Sequence, residues 1–322
     1  RYIFLEECRL ANAPNPVMMG IQMLGPMLMH FGTEAQKAAY LPGIISGDDI
    51  WCQGYSEPGS GSDLASLKTT ADRDGDEYVV NGTKIWTSMA HYSNWIFCLV
   101  RTDKNVKPQA GISFLLIDMA TPGITVTPFS SLDGEVEQCQ VFFEDVRVPV
   151  SNLLGEENQG WTVAKYLLEF ERGGQHFTID LKKQLRKLQR LVTSDANAAA
   201  DDPTFAFRIA KTEIDVMALE QTELRIKGSV AAGEHPGALS SLVKVSGTEL
   251  GQQCAELLIE AAGQGAMPWQ SEVLAPDYQG PTAAPEECVT TMAEYINSRA
   301  TTIYGGTAEI QRGIIAKHVL GL

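Results

Sequence analysis

The feature that most narrows the fold of this chain is a double change of hydrophobic period. Up to about Gly47 apolar residues recur at helical spacing. Tyr2, Leu5 and Glu6 open one segment, and a largely apolar run extends from Val17 to Phe31. Thr33-Glu34-Ala35-Gln36 has the form of a capping box and predicts a further helix that ends before Pro42. From about Asp48 to Val150 the pattern shortens to strand-like runs: Tyr78-Val79-Val80, Trp95 to Val100, Ile112 to Ile117 and Val141-Phe142-Phe143. Asp74-Gly75 and Asn81-Gly82 read as hairpin turns separating the first of these from its neighbours. From Gly160 the helical period returns and persists to the end. Ala266 to Pro285 interrupts it with Pro268, Pro276, Pro281 and Pro285 and no Lys or Arg, which predicts a mobile loop. Helices, then strands, then helices predict an α+β fold with an antiparallel barrel or sandwich in the middle, not a doubly wound sheet. The expected divisions are 1–47, 48–155 and 156–322.

Charge and cysteine content exclude several classes of function. With 25 Lys+Arg against 40 Asp+Glu the formal net charge is −15, so no surplus of cations exists to displace counterions from duplex nucleic acid. No apolar run reaches the roughly 18 residues that would span a bilayer. Cys8, Cys52, Cys98, Cys139, Cys254 and Cys288 are scattered, with no CxxC pair and no Cys/His cluster. They read as reduced, buried thiols of a cytoplasmic protein, not as a disulfide frame or metal site. The sequence opens at Arg1 inside an apolar-periodic segment, so an upstream portion is expected, and a targeting peptide stays an open question.

Four segments could carry chemistry. In Ser56-Glu57-Pro58-Gly59-Ser60-Gly61-Ser62-Asp63 the glycines let a backbone approach a ligand, and N–H groups with serine hydroxyls can cradle a phosphate. The same composition also suits a plain connection. Trp86-Thr87-Ser88, expected on a strand, sets an indole beside two hydroxyls, which suits either an aromatic cofactor or a core tryptophan. Tyr304-Gly305-Gly306-Thr307-Ala308-Glu309 feeds a final helix whose last turn holds Lys317 and His318. Such a start offers free N–H groups and a positive dipole end to an anion, or is simply a well-capped helix. In the helix opening near Trp161, residues Ala164, Leu167, Leu168 and Glu171 share one face. A carboxylate on an apolar stripe loses hydration, its pKa rises, and it becomes suited to general-base work unless a neighbouring Arg pairs with it.

Taken together and in this order, the segments "SEPGSGSD", "VNGTKIWTS" and "IYGGTAEIQRGIIAKHVLG" resemble those of the acyl-CoA dehydrogenase family, over essentially the whole chain. The resemblance implies an N-terminal helical domain (here partly missing), a middle β-domain and a C-terminal four-helix bundle. It implies FAD as cofactor and an acyl-CoA as substrate, with an electron-transfer flavoprotein as acceptor. Carried over, Gln53 to Ser62 run along the flavin, with Ser56 near its reactive edge and Ser62 near the CoA phosphates or pantetheine. Trp86, Thr87 and Ser88 flank the ring system. Gly305, Gly306, Thr307 and Glu309 meet the adenine dinucleotide half, and Arg172 lies beside the nucleotide end of CoA.

Two departures qualify the likeness. Many members place the catalytic glutamate just after the tyrosine of the terminal motif, where this chain has Gly305. A minority hold it on the earlier helix before an arginine, as Glu171-Arg172 does, so the resemblance implies Glu171 as base. Nor does any Arg-x-x-Phe-Gly occur between Gly173 and Arg208, where many members place an arginine that reaches a neighbouring subunit's FAD. That implies a heterotetramer with a second dehydrogenase-like subunit. Otherwise Lys182, Lys183 or Arg186 takes over the role in a homotetramer. An acyl-CoA oxidase and a non-catalytic companion subunit are the other functions this pattern admits. A steroid side chain is the bulky substrate expected of the heterotetrameric subgroup.

Overall fold

The computed structural model describes residues 2–14, 19–173, 176–193, 202–233, 237–275, 277–283 and 285–322. The chain packs as two compact units. One comprises Asn15–Ser131 with Glu135–Glu171, the other Arg1–Pro14, Leu132–Gly134 and Arg172–Leu322.

In the first unit β1 (Trp51–Gly54), β2 (Thr70–Asp74), β3 (Glu77–Lys84), β4 (Trp95–Arg101), β5 (Ile112–Asp118), β6 (Ile124–Phe129) and β7 (Gln138–Pro149) form one seven-stranded sheet. β5 pairs antiparallel along all of β4, while β1 and then the first residue of β2 run parallel to the other side of β4. β2, β3, β7 and β6 continue antiparallel in that order. The expected antiparallel barrel or sandwich is therefore realised as a mixed sheet whose end strands, β5 and β6, do not pair with each other among the described residues. The parallel step is possible because a long excursion containing β2 and β3 separates β1 from β4.

The central strands are buried on both faces. Phe97, Leu99, Ile112, Phe114 and Leu116 pack with helices α2 (Gly25–Phe31), α3 (Glu34–Ser46) and α4 (Gly160–Gly173), which contribute Met27, Leu28, Tyr40, Ile44, Val163, Ala164 and Leu167. The alternate residues Ile96, Cys98, Val100, Leu115 and Ile117 pack against Tyr78, Val80, Val141 and Val148 of the strands opposite. Two-faced burial is why β4 and β5 read as unbroken apolar runs and not as alternating ones.

Three local expectations need correction. α3 does start at the capping box, with Thr33 Oγ1 accepting from Gln36 N at 3.2 Å and Gln36 Oε1 from Thr33 N at 3.0 Å. It runs through Pro42 to Ser46, because Ile44 beyond the proline is buried in the core, and it ends at Gly47 with φ of 83°. Asp74 and Glu77 close the expected hairpin around Gly75, but Asn81-Gly82 is no turn: β3 continues through it, and Asn81 stands opposite a bulge in β7, where Glu144 and Asp145 face that one residue. Gly82 has φ of 149°, and a Cβ there would lie 2.6 Å from the Thr69 backbone. Finally, Trp86-Thr87-Ser88 follows the end of β3 as a loop segment instead of lying on a strand.

In the second unit α5 (Phe177–Val192), α6 (Pro203–Ala231) and α7 (Leu239–Ala262) share a core of Leu181, Leu185, Leu188, Val216, Leu219, Leu250 and Leu257. α8 (Thr291–Ser298) and α9 (Ala308–Ile315) pack on α7, and α1 (Tyr2–Leu10) on α5. α9 ends at Ile315, so Lys317 and His318 fall in the π-helical turn that follows it. Between α7 and α8 the proline-rich stretch is irregular apart from single 3-10 turns at Gly263–Ala266, Ser271–Leu274 and Glu286–Cys288. Pro276 and Ala284 there lie outside the described residues. No described helix is long and apolar enough to cross a membrane.

One ion pair anchors the loop that follows β1. Lys84 is fully buried, and its Nζ donates to Glu57 Oε1 at 2.8 Å and to the Tyr55 carbonyl at 3.1 Å. Glu57 also accepts from the N–H groups of Lys68 and Thr69, at 2.6 and 2.9 Å. Burial alone would raise the Glu57 pKa, but Lys84 and these donors override it and hold the carboxyl below its ordinary value. Removing one partner leaves an uncompensated charge in a dry site. Lys84→Met should therefore cost about 3–5 kcal/mol in urea unfolding, and the double variant with Glu57→Gln markedly less than the sum of the single losses. Because the folded pKa is lowered, the contribution of Glu57 is intact above about pH 4.3 and lost as the pH falls below it. Acid titration of stability should show that loss in the wild type and not in the double variant.

Candidate functional site

Within the sheet unit the residues expected to line a cofactor fall on two adjoining stretches. Half-buried Gln53 lies in β1 beside Phe97, and the Ser56 carbonyl accepts from Ile85 N at 2.9 Å, joining the first stretch to the second. Glu57 and Ser60 exchange both backbone hydrogen bonds, at 2.9 and 3.0 Å, around Pro58-Gly59. Ser60 and Ser66 hydroxyls both donate to the Asp63 carbonyl, at 2.8 and 2.7 Å. Ser62, at the tip, is exposed. Arg101 fastens the far side, donating to the carbonyls of Ala65 at 2.6 Å and Leu67 at 3.1 Å. The loop is thus a rigid turn with its polar groups largely committed inward, leaving Ser62 as the outward hydroxyl.

The second stretch is strained. Trp86 and Met89 have φ of 58° and 62°, conformations that cost about 1–3 kcal/mol each for residues with side chains. They persist because the backbone is held on both sides: Thr87 N donates to the Cys139 carbonyl at 3.0 Å and Met89 N to the Glu137 carbonyl at 2.8 Å. Ser88 and Gln138 bond through their side chains at 3.0 Å. The effect is to turn Trp86 outward at 61% exposure, T-shaped against Phe129 with ring centroids 5.2 Å apart. Thr87 is fully buried, and its Oγ1 has no partner among the described residues.

Glu171 and Arg172 lie in the last turn of α4, and their side chains are outside the described residues. The backbone sets Glu171 on the stripe of Ala164 and Leu167, both buried. In the helical unit Gly305 and Gly306 have φ of 65° and 88°, and Thr307 caps α9, its Oγ1 accepting from Ile310 N at 3.3 Å. Glu309 is exposed, and its carboxyl is held below the usual range first by its own N–H at the helix start and then by the Thr307 hydroxyl. The structure therefore brings Gln53, Ser56 and Ser62 together with Trp86, Thr87 and Ser88 in one unit. Gly305, Gly306, Thr307 and Glu309 share a turn in the other, to which Arg172 also belongs, while Glu171 ends the first.

Residue-level reading missed Glu57, Lys84, Lys244 and Gln311, the side chains that hold these turns. The two lysines carried a signal: each is a lone cation flanked by β-branched or apolar residues, in "NGTKIW" and "SLVKVSG". The thiols of Cys52, Cys98 and Cys254 do not compete for the site. Burial pushes the thiols of Cys52 and Cys254 up to about 12 and that of Cys98 to about 11, so none is a thiolate near neutrality.

Comparison with known proteins agrees with this arrangement. The N-terminal, middle and C-terminal domain models of acyl-CoA dehydrogenases match residues 1–48, 52–146 and 158–320. The acyl-CoA dehydrogenase IpdE1 of Mycobacterium tuberculosis is 39% identical over 100% of this chain and 80% of its own length. Among solved structures, the ChsE4-ChsE5 complex from Mycobacterium tuberculosis superposes with a TM-score of 0.86 at 35% identity, covering 99% of this chain and 81% of that one. The Tcur3481-Tcur3483 steroid ACAD gives 0.87 at 31% identity, covering 100% and 80%. On matches that run the length of the chain through all three domain models, this protein belongs to the acyl-CoA dehydrogenase family.

Proposed function

We propose that the chain removes the α and β hydrogens of an acyl-CoA thioester to give the trans-2-enoyl-CoA, with Glu171 as base and FAD as cofactor. The observation that carries this reading is the position of Glu171 along α4 in register with the buried Ala164 and Leu167, together with Gly305, which has no side chain, at the alternative position of the base. Glu171 takes the α-proton on a carboxylate oxygen. Hydrogen bonds to the thioester carbonyl stabilise the enolate that develops, and Arg172 pairs with a phosphate of CoA.

The residues present fit a flavin dinucleotide. Thr87 offers a buried hydroxyl without a partner among the described residues, and exposed Trp86 offers an apolar wall. At Gly59 and Gly61, beyond the adjacent residues, nothing among the described residues lies within 4 Å of where a Cβ would sit, leaving the backbone open to close approach. Gln53, Ser56 and Trp86 to Ser88 would hold the ring system, and Gly305 to Glu309 the adenine dinucleotide half. When bound, FAD supplies the acceptor for the hydride that leaves Cβ. An electron-transfer flavoprotein is the onward acceptor of this scheme.

A hetero-oligomer with a second dehydrogenase-like subunit follows from the same residues. No Arg-x-x-Phe-Gly is present in the sequence to reach a neighbour's cofactor. Of the cations that could replace it, Lys182 already donates to Glu220 and, at 3.2 Å, to Glu6 within the chain. A missing charge-assisted bond to the pyrophosphate is worth about 1.5–3 kcal/mol, which a partner with its own arginine restores. Similarity to a steroid ACAD makes a bulky thioester such as a steroid side chain the substrate class of this proposal.

Glu171→Gln keeps the shape but removes the basic oxygen. It should lower kcat about 10²–10⁴-fold or more while the flavin spectrum is retained, and near-normal turnover would remove Glu171 from the role. For the assembly, solution mass and flavin quantitation should give one FAD per pair of unlike chains. An active homotetramer of this chain with one FAD per subunit would contradict it.

A further inference from the structure

Beneath the Gly305-Gly306 turn sits a lysine whose side chain is almost wholly enclosed. Lys244 of α7 is 1% exposed, and its Nζ donates to the carbonyls of Thr301 and Gly306, each at 2.9 Å. Gln311 of α9 is fully buried, and its Nε2 donates to the Gly305 carbonyl at 3.1 Å, while its Oε1 has no partner among the described residues. Both glycine carbonyls are therefore drawn toward the interior. A trans peptide is planar with its C=O and N–H opposed. Holding the Gly305 and Gly306 carbonyls inward consequently turns the N–H groups of Gly306 and Thr307 away from these side chains, and neither has an acceptor among the described residues. The left-handed φ values of both glycines are what permit consecutive peptides to adopt this arrangement.

We propose that Lys244 is a positioning residue for cofactor binding: by fixing the Gly306 carbonyl inward it aims the Thr307 N–H, with that of Gly306, at an anionic phosphate of the dinucleotide. The inference rests on the flavin reading above and concerns only the phosphate-bearing half of the ligand. It also explains why a strongly hydrated ammonium occupies a dry site. A neutral side chain of the same length would take the donor from the Thr301 carbonyl and leave that of Gly306 with only the 3.5 Å contact from Gln311, loosening the aim of the Thr307 N–H.

The test compares wild type with Lys244→Met in the assembled protein, stripped of flavin and titrated with FAD and, separately, with riboflavin, which has the ring but no phosphate. The expected result is a rise in the Kd for FAD of about tenfold or more with the riboflavin Kd unchanged. If circular dichroism shows that Lys244→Met does not fold, Lys244→Gln, which keeps a donor but no charge, is read by the same criteria. An unchanged FAD affinity overturns the proposal. So does an equal loss for FAD and riboflavin, the signature of a purely structural lysine. Wild-type protein that binds neither ligand instead overturns the flavin reading on which the proposal stands.

Discussion

The burial of β4 and β5 on both faces is the constraint from which the rest of the sheet unit follows. Strands with Phe97, Leu99, Phe114 and Leu116 on one side and Ile96, Cys98, Leu115 and Ile117 on the other cannot leave either face to water. One side is covered by α2, α3 and α4. The other is covered by the remaining strands. Neither partner is optional, and this accounts for helices from before and after the β-region sharing one core. It also brings the end of α4, where Glu171 lies, into the same compact unit as the sheet. Packing that the sequence spreads over some 150 positions is decided by about ten apolar side chains of two strands.

Much of this was legible because the periodicities are strong. The helix–strand–helix order, the Thr33 capping box and the β2–β3 hairpin around Gly75 all follow from local chemistry, and the structure contains them. Misreadings arose where a local signal was overruled by distant contacts. Asn81-Gly82 has turn chemistry, yet β7 pairs with β3 on both sides of it. The extra residue lies in β7, where Glu144 and Asp145 bulge opposite Asn81, whose side chain bonds to Asp145 N and Oδ1 at 2.8 and 3.0 Å. Pro42 should stop a helix, but the burial of Ile44 beyond it outweighs one lost hydrogen bond.

The candidate site was legible in a different way. Its glycine, serine and tryptophan segments stand out by composition, whereas the side chains that give them shape do not. Trp86 reads as a strand residue because aromatic residues favour strands. Only the hydrogen bonds of Thr87 and Met89 to Cys139 in β7 and to Glu137 just before it reveal that the backbone is forced left-handed. Such strain comes from pairing between residues about fifty positions apart, and no window of sequence contains it.

The same separation explains how an acidic chain can present sites for polyanions. At a formal charge of −15 the mean field repels a dinucleotide or a coenzyme A, so attraction must be local and pre-oriented. In each unit a glycine-containing turn is tied to a lysine at most 1% exposed. Lys84 holds the Tyr55 carbonyl and Glu57, and Lys244 holds the carbonyls of Thr301 and Gly306. A surface lysine would add charge that salt screens within about 8–10 Å. An enclosed one acts on the backbone, and its effect is carried by peptide dipoles whose direction is fixed before any ligand arrives. Lys84 is paired with Glu57 at 2.8 Å, and its work is to lock the loop. Lys244 donates to the carbonyls of Thr301 and Gly306 and helps to hold the Glu309 carboxyl below its usual range, so it acts on the turn that starts α9.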